Sequence, residues 1–233
     1  MTGIFITGTD TDVGKTIISA GISGVLQKRQ YDVGVFKPML SGIQRDHPSS
    51  DTRMLKEYSG TQLTYEEITP YSFQEPLAPF VAAKLENRVV ELSDIIRHWE
   101  NIKQKHKHFI VEGAGGIAVP MGKQYLVSDV IQALQLPIVI VARPNLGTLN
   151  HTFLTVQYAK SLGLQILGII INGKSETGDV AEKTNPELME ALCGVPLLGV
   201  TPKLKQVSKE AVISMVEANV RMSKLENYLE GKR

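Results

Sequence analysis

The sequence predicts an α/β fold, a parallel β-sheet flanked by helices on both faces. Three observations predict it. Six short runs recur along the 233 residues, each nearly continuous in apolar residues rather than alternating, as strands buried on both faces should be. Helical patterns fall between the runs, and this alternation implies right-handed crossovers within one parallel sheet. The first run leads through a short loop to Gly14, Lys15 and Thr16 at the head of a helical pattern, the strand–loop–helix setting in which such a loop can hold phosphate.

In chain order the runs are GIFITG (3–8), DVGVFKP (32–38), HFIVEG (108–113), PIVIVAR (137–143), QILGIII (165–171) and PLLGVTP (196–202). Gly and Pro bound them closely, which favours strands over short buried helices. Helices are expected over 15–29, 91–105, 149–162 and 207–228. The segment from about 41 to 90, with Pro48, Pro70, Pro76 and Pro79, is less regular and reads as an excursion over the active-site face. The polar stretch NGKSETGDVAEKTN (172–185) reads as a mobile loop. No repeat, low-complexity tract or linker divides the chain, so residues 1–233 are expected to form a single domain. Ligands of such sheets bind outside the carboxyl ends of the strands, so the residues just after each run are the ones to read for function.

Composition narrows the function classes. Hydrophobic residues make up 42% and charged residues 21%, ordinary for a soluble globular chain. A net charge of +1 offers no broad basic field for nucleic acid or an anionic membrane. The one cysteine, Cys193, has no internal disulfide partner, which fits a reducing cytoplasm. The opening MTGIFITGTD lacks the basic region of a secretory signal. The apolar runs fall far below the roughly 20 residues of a membrane helix. A cytoplasmic location is expected.

The loop TGTDTDVGKT (7–16) carries the chemistry. The common spacing G-x-x-x-x-G-K-[ST] would place Gly at position 9; Thr9 stands there and Gly8 comes one residue early. The context still supports a phosphate loop: Gly14 permits close backbone approach, and backbone amides at a helix N-terminus face an anion. Lys15 would reach the β- and γ-phosphates and the Thr16 hydroxyl would bind Mg²⁺. Magnesium takes hard oxygen ligands, commonly one or two carboxylates. Glu112 closes a buried strand before a Gly-rich turn, where its charge has few structural uses. Asp51 stands at an expected helix start, equally suited to an N-cap or a metal ligand. Lys37 ends a strand before Pro38. It is either an exposed strand-end lysine or a cation placed to neutralise charge on a transferring group. His47, His98, His106, His108 and His151 show no metal-ligand spacing. No G-x-S-x-G elbow is present. NGKS (172–175) has the wrong order for a guanine-reading motif. Trp99 and Cys193 read as packing residues.

Taken together, these residues resemble the dethiobiotin synthetase family, ATP-dependent enzymes of biotin synthesis. That family carries an offset loop G-T-D-T-x-V-G-K-T, matched here by Gly8 through Thr16. The likeness continues in FKPMLSG (36–42), EPLAPF (75–80), VEGAGG (111–116), PNLGTLNH (144–151), GIIIN (168–172) and LLGVTP (197–202), and so spans nearly the whole chain in order. The resemblance implies a P-loop NTPase-type α/β fold with a seven-stranded type of parallel sheet, and a homodimer. It implies a reaction in which 7,8-diaminopelargonate, CO₂ (from bicarbonate) and ATP give dethiobiotin through a carbamate and a carbamic–phosphoric anhydride.

The resemblance also implies roles. Thr16, Asp51 and Glu112 would be the Mg²⁺ ligands. Asp12, Val13, Gly14, Lys15, Thr16 and Ile17 would hold the phosphates. Lys37, Lys15 and Thr11 would be the catalytic groups, with Thr11 and Ser41 on the diamine or its carbamate. Gly113, Ala114, Gly115 and Gly116 would lie against substrate and nucleotide. Asn172 and the backbone near Thr201, Pro202 and Lys203 would recognise adenine. Backbone amides of Thr148, Leu149 and Asn150 would bind the carboxylate of substrate held by the other subunit.

Two departures stand out: Asp12 occupies a place where a well-studied form of the loop has Glu, and the region 173–195 and the C-terminal helix match poorly. Two other readings remain. A regulatory P-loop ATPase switch of the partitioning type carries K-G-G-x-G-K-T, but Asp10 stands where its first Lys would be. An amidotransferase-type synthetase would bring a Cys–His glutaminase, and Cys193 in ALCGVP lacks a partner motif.

Overall fold

The structure, a computed structural model, describes residues 1–232. Its elements in chain order are β1 (Thr2–Gly8), α1 (Lys15–Lys28), β2 (Val33–Phe36), β3 (Met39–Ser41), α2 (Asp51–Ser59), α3 (Tyr65–Ile68), β4 (Tyr71–Phe73), α4 (Pro79–Leu85), α5 (Leu92–Ile102), β5 (His108–Gly116), β6 (Pro120–Gly122), β7 (Tyr125–Leu126), α6 (Val127–Leu134), β8 (Ile138–Ala142), α7 (Thr148–Ser161), β9 (Ile166–Lys174), α8 (Val180–Cys193), β10 (Leu197–Pro202), α9 (Lys209–Asn219) and α10 (Met222–Leu229). All six apolar runs become strands of one sheet, in the order β10-β9-β8-β1-β5-β2 and parallel at every pairing. β1 and β8 are buried along nearly their whole length, as continuous apolar runs require. Helices cover both faces.

The seven-stranded sheet implied by family resemblance is corrected to six among the described residues. The remaining short strands pair only with each other, β3 with β4 and β6 with β7, so none extends the main sheet. From β1 the chain moves to β2 on one side, and from β8 it moves to β9 on the other. The direction reverses between β1 and β8, and a crevice outside the strand ends at such a reversal is where open α/β sheets bind ligands. The loop after β1 lies there.

Two local expectations are corrected. The expected helix over 207–228 is two helices, because Val220 turns extended and bridges Gly199 of β10 while the Arg221 N–H donates to the Leu198 carbonyl at 2.8 Å. Gly199 makes this possible: a Cβ there would lie 2.1 Å from the Asn219 carbonyl oxygen. The expected mobile loop over 172–185 is the end of β9, a short turn, and the first turns of α8. Asp179 caps that helix by accepting from the Glu182 N–H at 2.9 Å. Its polar composition is that of an exposed helix, and Pro186 inside it disguised the pattern. The irregular stretch 41–90 holds α2, α3, α4, β3 and β4, and part of it does lie over the carboxyl ends of the strands. Trp99 and Cys193 are buried as expected, Trp99 stacking on Phe36 and meeting Phe109 edge-on.

Candidate active site

The loop between β1 and α1 folds back on itself. Asp12 has φ 58 and Gly14 has φ 87, so the two left-handed positions of the loop lie two residues apart. Gly14 is the N-cap of α1, no side chain caps that helix, and its first turn holds no acidic residue. First-turn N–H groups of such a helix lack intrahelical partners and suit an anion. Gly8 explains the offset spacing. A Cβ there would lie 2.9 Å from both the Asp10 carbonyl oxygen and Val13 Cγ2, so the glycine is needed where the loop leaves the strand.

Asp10 organises the loop from the other side. Its carboxylate accepts from the Thr11 N–H at 2.7 Å and from Arg143 Nη2 at 2.6 Å, and its carbonyl accepts from Lys15 Nζ at 3.1 Å. Burial lowers the Lys15 pKa, with neighbouring Lys37 adding to the fall and Glu112 and Asp51 opposing it. Arg143 and Asp10 were missed at the sequence level. The signal was present, because Arg143 closes the apolar run and directly follows β8, where functional groups belong.

Three further elements bring the charges together. β5 ends with Glu112, β2 leads into Lys37, and α2 begins at Asp51. Lys37 is 4% exposed, which removes the exposed strand-end reading. Its ammonium lies 2.6 Å from Glu112 Oε1 and 2.8 Å from Asp51 Oδ2. Burial acts against that charge, but the two carboxylates outweigh it and hold the Lys37 pKa above its ordinary value. Burial also acts against the Asp51 charge, and Lys37 overcomes it, so the Asp51 pKa lies below the usual carboxylate value. Asp51 is not the N-cap of α2. Ser50 takes that role by accepting from the Arg53 N–H at 3.1 Å, which leaves the Asp51 carboxylate free to face the loop. The Thr16 hydroxyl donates to Glu112 Oε1 at 2.8 Å. The other oxygen, Glu112 Oε2, is buried without a partner.

These groups line a cavity of about 490 Å³. Thr11, Asp12, Gly14, Lys15 and Thr16 of the loop and the start of α1 line it together with Lys37, Ser41, Asp51, Glu112, Ala114 and Gly115. The Ser41 hydroxyl is buried without a partner. Leu77, Pro79 and Val119 supply an apolar wall, a role the sequence reading gave to none of them. The other expected residues lie outside this lining. Val13 is buried within the loop, Ile17 is half-buried on α1 and Gly113 is buried in β5. Asn172 lies at the end of β9 against Gly14, beside Thr201. Pro202 and Lys203 are exposed at the end of β10. Thr148, Leu149 and Asn150 form the first turn of α7, which like α1 has a glycine N-cap and no side-chain cap. The Thr148 hydroxyl is buried without a partner.

The oxygen donors fit a hard divalent cation. Two carboxylates and a hydroxyl converge beside the phosphate loop, magnesium commonly takes one or two carboxylates beside water and phosphate, and the unpartnered Glu112 Oε2 calls for a cation or donor. Among the described residues no cluster of three or more His, Cys, Asp or Glu side chains forms a metal site built from protein alone. No helix among them is long and apolar enough to cross a membrane.

Comparison with known proteins adds sequence and fold relationships. A family model described as an AAA domain matches residues 2–211. The chain is 60% identical over 229 residues to the ATP-dependent dethiobiotin synthetase BioD of Bacillus subtilis strain 168, covering 98% of this chain and 99% of that protein. It is 55% identical over 230 residues to the enzyme of the same name from Bacillus velezensis, covering 99% of both. Among solved structures, the MinD cell division protein of Aquifex aeolicus aligns with TM-score 0.57 at 14% identity, over 100% of this chain and 98% of that one. The septum site-determining protein MinD of Pyrococcus horikoshii, complexed with Mg-ADP, aligns with TM-score 0.53 at 20% identity, over 98% of each. At these identities the structural matches establish the shared fold alone.

Proposed function

The chain belongs to the ATP-dependent dethiobiotin synthetase family, and from that premise we propose that it joins 7,8-diaminopelargonate and CO₂ into the ureido ring of dethiobiotin, converting ATP to ADP and phosphate. One observation carries the reading: the phosphate loop, a buried lysine between two carboxylates, and an apolar wall share one cavity.

The chemistry runs in three steps. One amine of the diamine attacks the carbon of CO₂ and loses a proton, giving a carbamate. A carbamate oxygen attacks the γ-phosphorus, and ADP leaves. The second amine attacks the carbamoyl carbon, the bond from that carbon to the phosphoryl oxygen breaks, and phosphate leaves as the ring closes. The anhydride hydrolyses in open water, so a closed site is needed. Phosphoryl transfer rests on positioning and charge neutralisation.

The residues of this chain divide that work. The loop amides and Lys15 would hold the phosphates. Lys37 would neutralise charge on the carbamate and the transferring group. Thr11 and the unpartnered Ser41 hydroxyl would orient the diamine, while Leu77, Pro79 and Val119 would lie along its aliphatic chain and exclude water. Thr16, Asp51 and Glu112 would hold Mg²⁺, whose chemistry when bound is to screen the β- and γ-phosphate oxygens. Asn172 and the strand end at Thr201, Pro202 and Lys203 would receive the base.

A homodimer belongs to this reading. The uncapped N-terminus of α7, with the buried Thr148 hydroxyl, suits a carboxylate, yet it lies outside the cavity lining and would serve a substrate held by a second copy. Leu146 and Leu154, 85% and 57% exposed on the same segment, supply apolar surface for such a contact. The partitioning-switch alternative needs a lysine at position 10, and Asp10 there is paired with Arg143.

Phosphate release from Mg·ATP and bicarbonate tests the proposal. The expected result is release that depends on the diamine and accompanies a cyclic urea of the right mass. Release indifferent to the diamine would overturn it.

A further inference from the structure

We propose that Thr201 is a specificity-determining positioning residue: its buried hydroxyl fixes the side-chain amide of Asn172 so that one donor and one acceptor remain for the base, which selects a 6-aminopurine over a 6-oxopurine. The inference rests on the reading of Asn172 as the residue that meets the base of a nucleotide held on the phosphate loop.

Asn172 and Thr201 are register partners at the carboxyl ends of β9 and β10. Thr201 is wholly buried, and its hydroxyl donates to Asn172 Oδ1 at 2.8 Å. At the other end of the amide, Asn172 Nδ2 donates to the Val13 carbonyl at 3.0 Å. A carbonyl can only accept, so the Val13 contact selects the amino end of the amide, and the hydroxyl takes the oxygen end. The amide lies directly over the phosphate loop, since a Cβ on Gly14 would fall 2.0 Å from Asn172 Nδ2.

The remaining hydrogen-bonding capacity follows by counting. A side-chain amide has two N–H donors and two oxygen lone pairs. Val13 takes one donor and Thr201 occupies one lone pair, which leaves one of each. Adenine offers a donor at N6 beside an acceptor at N7, whereas guanine offers two acceptors, O6 and N7. The fixed amide therefore matches the first base and faces the second with an acceptor against an acceptor. Because the same amide holds Val13, the base contact and the shape of the phosphate loop are mechanically joined.

The test is equilibrium titration of Mg·ATP and Mg·GTP into the full chain without the diamine, for the wild type, Thr201→Val, Thr201→Ser and Asn172→Ala, each checked by thermal melting. The wild type is expected to bind ATP more tightly than GTP. Thr201→Val keeps the shape and removes the hydroxyl, and should reduce the ATP-to-GTP preference about tenfold, the effect of one net hydrogen bond. In turnover the loss should fall on KM for ATP more than on kcat. Thr201→Ser should restore the preference, and Asn172→Ala should abolish it, which keeps the inference testable if Thr201→Val fails to fold. A wild type that binds both nucleotides alike overturns the inference. So does a folded Thr201→Val that weakens both nucleotides equally, as a merely structural residue would. If the wild type makes no cyclic urea while the preference responds as stated, the proposed reaction falls and this inference stands.

Discussion

A lysine 4% exposed and a glutamate 1% exposed are tolerated in the same cavity only because each neutralises the other. Breaking a buried pair by removing one partner costs about 3–5 kcal/mol, since the remaining charge stays in low dielectric. Lys37→Ala should therefore lower stability by roughly that amount and reduce turnover by about 100-fold or more. Denaturant unfolding and steady-state kinetics measure the two effects, and a variant with unchanged turnover would remove Lys37 from the catalytic groups. Legibility at this scale depended on whether a residue's partners were local. Lys15, Thr16 and Glu112 could be read from motif and strand position, because the chemistry of a strand end restricts what belongs there. Asp51 could not be assigned from its neighbours, since Ser50 and Asp51 are both good caps and only the fold makes Ser50 the cap. Lys37 had an exposed alternative because nothing local shows that α2 brings Asp51 over it. The Arg143–Asp10 pair joins positions 133 residues apart in sequence, a separation that local pattern does not report.

At the scale of elements, the six strands were legible because burial on both faces leaves a continuous apolar run, a signal that survives without an alignment. Helices were legible where the pattern was uninterrupted, as in α1, α5 and α7. α8 was not, because its exposed face reads as a polar loop and Pro186 interrupts it; the break between α9 and α10 was not, because it comes from pairing with distant Gly199. The pairing of β1 with β5 gives a prediction in pH. Thr2 and His108 are register partners, and the Thr2 hydroxyl and His108 Nδ1 lie 2.8 Å apart. Burial lowers the His108 pKa below 6.5, with the chain N-terminus and Lys107 adding to the fall and Asp32 and Glu230 opposing it. The unfolded chain then binds the proton first, so this contribution is complete above pH 6.5 and is lost as pH falls towards the folded value. Thermal melts at about pH 7.5 and pH 5.5, on either side of an ordinary histidine pKa, should show a fall in Tm that is smaller in His108→Asn. An equal fall in the variant would exclude His108 as its source.

For the whole molecule, the sheet brings the residues of the proposed phosphoryl transfer to the carboxyl ends of its strands. The chain reverses direction between β1 and β8, the phosphate loop sits at that reversal, and the excursion between β2 and β5 covers the cavity with Leu77 and Pro79. The same fold serves MinD proteins at 14–20% identity, so the fold alone does not choose the reaction; in the proposed reading the charges and the apolar wall of this cavity would. The central claim is that CO₂ is first fixed as a carbamate and then phosphorylated. In that sequence one oxygen of CO₂ becomes the bridging oxygen of the anhydride and leaves with the phosphate. The direct measurement is mass analysis of phosphate and organic product after brief reaction of the enzyme with Mg·ATP, 7,8-diaminopelargonate and ¹⁸O-enriched CO₂. The account predicts a cyclic urea and, for each one formed, a phosphate carrying one oxygen from CO₂. Phosphate whose new oxygen comes only from water would contradict it, because ATP would then be hydrolysed without passing its phosphoryl group to a carbamate.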